Sequence, residues 1–228
     1  MSAANREQAN IYETRARDYH RLVSAEDCDK KLLPAIASRV PLAGKRVIEV
    51  GAGTGRVTRM LVEAGASVRA FERAAPMLEV AREQLPSVSF EVADARSLPV
   101  AGAWADVVVA GWVFGHLRKW MPEGWEAEVG ACLAEAERVL VPGGRIVIIE
   151  TLGTGRTVAA PPSTDLGEYY ALLESRGFVR SDVATDYAFA SAEQAADVLG
   201  GFFGAEMAER IRREKWARVP EWTGLWVK

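Results

Sequence analysis

The stretch that most constrains this chain is Val47-Ile48-Glu49-Val50-Gly51-Ala52-Gly53-Thr54-Gly55-Arg56-Val57-Thr58. Its first half is an apolar, β-branched run, the mark of a strand buried on both faces. Three glycines then turn the chain, and a helical pattern follows. A strand that turns sharply into a helix through glycines brings bare backbone close to a ligand. The spacing bears on which ligand. A dinucleotide fingerprint reads G-x-G-x-x-G. Here the glycines fall at 51, 53 and 55, position 56 is Arg, and Glu49 precedes them.

The same alternation continues along the chain. Strands are expected over 45–50, 67–71, 88–92, 106–110 and 145–149. Helices are expected over 56–65, 76–84 and 122–140, the last with Trp125, Val129, Leu133, Ala136 and Leu140 at helical spacing. Strands alternating with helices predict a parallel, doubly wound α/β sheet with helices on both faces. Ligands bind such sheets at the C-terminal strand ends, where strand order reverses. Ahead of the first strand, helices are expected over 6–21 and 26–39. Tyr12 and Tyr19, seven residues apart, fall on one face of the first. Beyond Glu150, the Gly-, Thr- and Pro-rich stretch 151–164 reads as a mobile loop. A helix (165–176), a strand (178–188), a helix capped by Ser191 and reaching 199, a helix (204–216) and a closing strand (219–228) follow.

The pattern E-x-G-x-G-x-G resembles motif I of the class I S-adenosylmethionine (SAM)-dependent methyltransferases. Asp106-Val107-Val108-Val109-Ala110-Gly111-Trp112 resembles their motif IV, and Leu140-Val141-Pro142-Gly143-Gly144 the turn before their fifth strand. The resemblance runs by motif from Val47 to Thr151 and by architecture elsewhere. It implies a Rossmann-like, mostly parallel, seven-stranded sheet with the last strand antiparallel. It implies one domain over 1–228: an N-terminal helical lid (1–40), a SAM-binding half (45–151) and an acceptor-side half (152–228). The cofactor would be SAM and the product S-adenosylhomocysteine.

Site expectations follow from the same resemblance. Glu72 ends the second strand, where an acidic side chain accepts two hydrogen bonds from ribose hydroxyls. Asp94 would face the adenine amino group, with the backbone of Ala95 on a ring nitrogen. Tyr19, Glu49, Gly51, Gly53, Gly55, Arg73, Met77, Gly111 and Trp112 complete the cofactor set, Trp112 either offering a ring face to the sulfonium or packing in the core. His116, just beyond strand four, is the candidate base for a hydroxyl or amine acceptor. Glu150, Thr151, Tyr169 and Tyr170 are candidates for the acceptor pocket.

The cofactor carries no phosphate, so the glycine loop serves close packing rather than anion neutralisation. Methyl transfer is an in-line displacement that needs alignment and exclusion of water. With 228 residues and a net charge of −3, the chain can bury one large core and has no bulk attraction to nucleic acid or anionic membrane. Glu206, Glu209 and Glu214 interleave with Arg210, Arg212, Arg213, Lys215 and Arg218, the pattern of a solvated helix face. Cys28 and Cys132 are too few and too distant for a disulfide framework or a metal site, which points to a reducing cytoplasm. The polar N-terminus lacks a signal core, and there is no run of about 18 apolar residues. The expectation is a cytoplasmic methyltransferase, monomeric or homodimeric, acting on an O or N atom of a small molecule, since no recognition domain is appended. The alternatives are a non-catalytic SAM-binding module and an NAD-binding oxidoreductase.

Overall fold

A computed structural model describes residues 11–228. Its strands are β1 (Arg46–Val50), β2 (Ser67–Glu72), β3 (Ser89–Val92), β4 (Ala105–Gly111), β5 (Leu140–Thr154), β6 (Val179–Ala184), β7 (Tyr187–Ala188), β8 (Arg218–Val219) and β9 (Glu221–Val227). Seven of them lie in one sheet, in the order β3-β2-β1-β4-β5-β9-β6, while β7 and β8 pair separately. Neighbours from β3 to β5 are parallel, and β9 runs antiparallel to both β5 and β6. The chain steps outward from β1 to β3, then returns to the other side of β1 with β4. The C-terminal ends of β1 and β4 therefore border the switch point at which such sheets hold ligands.

The helices are α1 (Ala16–Ser24), α2 (Leu32–Ala37), α3 (Arg56–Glu63), α4 (Ala75–Gln84), α5 (Phe114–Trp120), α6 (Trp125–Val139), α7 (Thr164–Ser175), α8 (Ala192–Phe203) and α9 (Ala205–Glu214). The period-2 alternation of strand side chains divides the core into two layers. Ile48, Val108, Ile146 and Ile148 pack against α6 and α7, while Val47, Val107, Val147 and Ile149 pack against α2 and α3. A separate cluster joins Leu22 of α1 to Leu199 of α8, Ile211 of α9, and Tyr187 and Val219 of the small ribbon. Arg212 of α9 pairs with Glu193 and Asp197, as expected of a solvated face.

Several segments differ from expectation. Part of the stretch read as a mobile loop is strand: β5 continues to Thr154 because β9 pairs with it as far as Glu221. The glycine that suggested a break, Gly153, lies where the register shifts, so it marks a bulge. The turn expected at Val141–Gly144 likewise sits inside β5, as an irregularity facing Ala105 and Val107. The helix expected over 26–39 shrinks to α2. Asp27 and Lys30 adopt left-handed φ values of 58° and 54°, and the Asp27 carboxylate accepts the N–H groups of Lys31 and Leu32. Helix α5 was not expected, being seven residues long with Gly115 in its first turn. The strand expected over 178–188 is broken between β6 and β7.

Of the lid expected over 1–40, residues 1–10 lie outside the described residues. Residues 11–14 are helical, Arg15 interrupts with φ −130°, and α1 follows. Despite the break, the Tyr12 and Tyr19 rings meet edge-on at 5.5 Å. This segment has more core contact than its polar sequence suggested. Ala16 packs with Ala74, Met77 and Val80 at α4, and Leu22 packs with α8 and α9.

Gly51 combines φ +73° with close approach: a Cβ there would stand 2.1 Å from Val113 Cγ2. Gly124 has φ +79° and nothing within 4 Å of such an atom. Gly124→Ala should therefore cost only the left-handed penalty of about 1–2 kcal/mol. Gly51→Ala should add overpacking of a further ~1–3 kcal/mol. Urea titrations of the two variants test this; equal losses would show that the contact with Val113 relaxes freely.

Candidate active site

The glycine loop lies between the C-terminal ends of β1 and β2, and its N–H groups are largely used within the fold. Gly51 and Ala52 donate to Phe71 O, Gly55 donates to Ala52 O, and Gly53 donates to Glu72 Oε2 at 3.0 Å. Glu72 Oε1 accepts from Arg73 N at 2.7 Å and Ala74 N at 2.9 Å. A carboxylate offers about four acceptor positions, so Glu72 has room for one further donor, not the expected two, unless the loop releases Gly53. A loop wired this way is no anion cradle. Across from it, the Tyr19 ring lies 3.5 Å from where a Gly53 Cβ would be, and His20 Nδ1 is 3.1 Å from Thr54 Oγ1.

Arg56 opens α3 directly after the loop. Its side chain is 13% exposed; it forms a close ion pair with Glu26, Nη1 to Oε2 at 2.7 Å, and its guanidinium stacks 4.1 Å over the Trp112 ring. Trp112 follows the end of β4 with φ 55°, rare for a bulky residue. Its N–H donates to Ile149 O at 2.7 Å, which with the stacked guanidinium holds that conformation. One face of the indole expected to meet a sulfonium is thus taken by Arg56.

A cavity of about 950 Å³ opens beside these groups, bordered by α1, α5, the end of β5 and the α8–α9 corner. His116 reaches it from α5. Its Nε2 lies 3.1 Å from the Tyr12 hydroxyl and its ring stacks on Trp120 at 4.8 Å. Burial, then the Lys119 charge, push its pKa down to about 4. Glu150, at the cavity wall, has Oε1 accepting from Gly115 N at 3.0 Å and from Tyr169 OH at 3.2 Å. Burial raises its carboxyl to about 7, against the lowering effect of those two bonds. Tyr169 and Tyr170 do not line the cavity as expected. Both are core residues, Tyr169 supporting Glu150 from behind and Tyr170 donating to Thr151 O at 2.6 Å. Thr151 does border it, its hydroxyl donating to Glu221 Oε1 at 2.7 Å.

The remaining expected residues take more structural positions. Glu49 is buried in β1 and accepts from Thr58 Oγ1 at 2.5 Å, with its carboxyl raised to about 8 by burial; it ties β1 to α3. Met77 is fully buried under Ala16 and Tyr19, and Arg73 is exposed. Asp94 grips Arg96 with both oxygens, from 2.6 to 2.9 Å, which holds its carboxyl near 2. Ala95 is half-buried against the core beside it. Gly111 closes β4 against Val57 and Ile149. Sequence reasoning missed Glu26, Tyr187 and Glu221, all of which line the cavity. The one available signal was a lone carboxylate, Glu221, at the head of the apolar run Trp222–Val227. Among the described residues, no cluster of His, Cys, Asp and Glu could hold a metal ion, and no helix is long and apolar enough to cross a membrane.

Comparison with known proteins bears on what this arrangement serves. A family model described as a methyltransferase domain matches residues 48–148. An uncharacterized methyltransferase of Anoxybacillus flavithermus is 30% identical over 151 residues, covering 64% of this chain and 68% of that protein. A demethylmenaquinone methyltransferase of Renibacterium salmoninarum is 32% identical over 133 residues, covering 57% of this chain and 52% of its own length. Among solved structures, a putative methyltransferase from Bacillus halodurans superposes with TM-score 0.55 at 14% identity, over 85% of this chain and 96% of that one. The [4+2]-cyclase SpnF superposes with TM-score 0.56 at 20% identity, over 86% and 79%. These two likenesses concern the fold; the sequence relatives carry the activity. The domain match, the relatives, the 3-2-1-4-5-9-6 sheet and the glycine loop at its switch point agree: the chain belongs to the class I SAM-dependent methyltransferases and is an enzyme of that family.

Proposed function

We propose that this enzyme transfers a methyl group from SAM to an oxygen or nitrogen atom of a small molecule held in the cavity beside Trp112. The observation that carries this reading is Glu150, a buried carboxylate at the cavity wall whose pKa, about 7, suits the removal of a proton at neutral pH. The cavity's size, about 950 Å³, is that of a small-molecule site.

The residues present fit the cofactor that the family uses. Gly53 has no Cβ to crowd a ligand opposite Tyr19, and Glu72 keeps acceptor capacity for a hydroxyl. The guanidinium nearest the loop in sequence, Arg56, is engaged by Glu26 and Trp112, so the loop makes no provision for a pyrophosphate. Gly51, Gly53, Glu72 and Tyr19 would hold SAM, which supplies an electrophilic methyl on a positively charged sulfur.

What the chain itself does is orient, dry and deprotonate. Tyr12 and His116, the latter backed by the stacked Trp120 ring, form an aromatic wall that orients the acceptor and keeps water from it. Glu150, anchored by Gly115 N–H and Tyr169 OH, takes the proton that the acceptor's hydroxyl or amine must lose. The role expected of His116 thus passes to Glu150: a base whose conjugate acid lies near 4 holds a proton poorly at pH 7. His116 keeps a positioning role through its ring nitrogen.

S-adenosylhomocysteine should bind in preference to NAD, and Glu72→Ala should weaken it by about 1–3 kcal/mol, roughly 5- to 150-fold. Calorimetry decides both; equal NAD affinity, or an unchanged constant in a folded Glu72→Ala variant, removes the assignment. Methyl transfer should rise with pH through about 7, because Glu150 must be ionised to act and burial holds it protonated below that. Glu150→Gln should lower kcat by about 10²–10⁴-fold and abolish that limb. His116→Asn should keep the limb and act mainly on KM. A pH profile flat from 6 to 8 that His116→Asn alone depresses would return the proton to His116.

A further inference from the structure

The cavity carries a second group of charges that proton removal does not use. Glu221 is 2% exposed and the Glu26 side chain 5% exposed, and both line the cavity with Arg56 and Tyr187. Glu26 Oε2 pairs with Arg56 and accepts from Tyr187 OH at 3.2 Å. Glu221 Oε1 accepts from Thr151. Glu26 Oε1 and Glu221 Oε2 remain buried with no hydrogen-bond partner among the described residues; Arg56 Nη1 also lacks one, but its charge is met by the ion pair with Glu26 Oε2. A buried polar atom without a partner is destabilising, and native proteins hold few of them. Two on the lining of one cavity mark a place for a donor.

Charge decides what kind of donor. Three buried carboxylates, Glu26, Glu150 and Glu221, line the cavity, and Arg56, its side chain 13% exposed, is the most enclosed cation among them. Arg15, Lys119 and Arg156 border it from exposed or half-buried positions, where solvent screens them. Burial, and for Glu221 also the charge of Glu26, disfavours ionising the pair. A cation brought to the unpaired oxygens would supply donors and charge together. A neutral donor supplies only the first, and an anion opposes both. The aromatic rings of Tyr12, Tyr187 and Phe202 at the cavity suit a carbon skeleton next to that charge.

We propose that the methyl acceptor carries a protonated amine, and that Glu221 Oε2 and Glu26 Oε1 hold it at the cavity wall. This rests on the methyl-transfer reading above and narrows its substrate class. The ammonium is an anchor: its nitrogen has no lone pair, so the atom methylated is another one on the same molecule.

The test is a charge series of near-isosteric probes, phenethylamine, 2-phenylethanol and 3-phenylpropionate, titrated into the S-adenosylhomocysteine-saturated enzyme by calorimetry. Phenethylamine should bind at least tenfold tighter than the alcohol, and the carboxylate weakest. Glu221→Gln should erase the amine's advantage while leaving the alcohol and S-adenosylhomocysteine unchanged. Equal binding of amine and alcohol, or no amine binding at millimolar concentration, overturns the proposal. So does a Glu221→Gln variant that loses S-adenosylhomocysteine affinity as steeply as amine affinity, since Glu221 would then serve the cofactor's own amino group. If Glu221→Gln does not fold, the wild-type series decides alone. If S-adenosylhomocysteine itself fails to bind the wild type, the methyltransferase reading of the site fails, and the probe series on the unliganded protein still judges the anchor.

Discussion

A guanidinium buried between a carboxylate and an indole joins the pieces of this site. Arg56 links three segments: the glycine loop it follows, the chain leaving α1 through Glu26, and the end of β4 through Trp112. Taking both charges out of water costs several kcal/mol per ion, and only a close pair offsets it. Removing one partner of such a pair leaves a buried charge uncompensated, at about 3–5 kcal/mol. The pair thereby fixes where α3 begins and where the segment after α1 meets it, and the stacked guanidinium braces the left-handed backbone of Trp112.

Burial tunes the other carboxylates by the same physics and to different ends. Glu49 is held protonated near neutrality and spends that state on Thr58, tying strand to helix. Glu150, at the cavity wall with two donors on one oxygen, is poised near 7. Asp94, clasped by Arg96, stays ionised. The sequence shows three acidic residues near strand ends; the environment separates a brace, a carboxyl held near neutrality and an ion pair.

The half of the chain from β1 to β5 was legible because its signals are local. Glycine spacing, β-branched runs and the period of α6 place the loop, the strands and the switch point without tertiary information. What escaped was set at a distance. The end of β5 is strand only because β9, some 70 residues later, pairs with it. Tyr169 and Tyr170 read as pocket residues, yet the fold turns them into the core, where their hydroxyls reach Glu150 and Thr151 O. Glu26 and Glu221 meet Arg56's neighbourhood from opposite ends of the sequence, and no spacing rule connects positions so far apart. His116 was visible, but its weak basicity depends on enclosure by Tyr12 and Trp120.

The cluster that packs Leu22 against Leu199, Ile211 and Val219 has a consequence for how the molecule comes into being. The two sides of the cavity's roof are synthesised far apart in time. During synthesis the Ala16 side of α1 can settle on α4 early, but its Leu22 side stays uncovered until α8, α9 and the small ribbon have left the tunnel. The sheet from β3 to β5 can assemble before then, so a nascent chain has its glycine loop long before it has an enclosed cavity. A chain truncated before α9 would lack Ile211 and Val219 and leave the Leu22 side of that cluster uncovered.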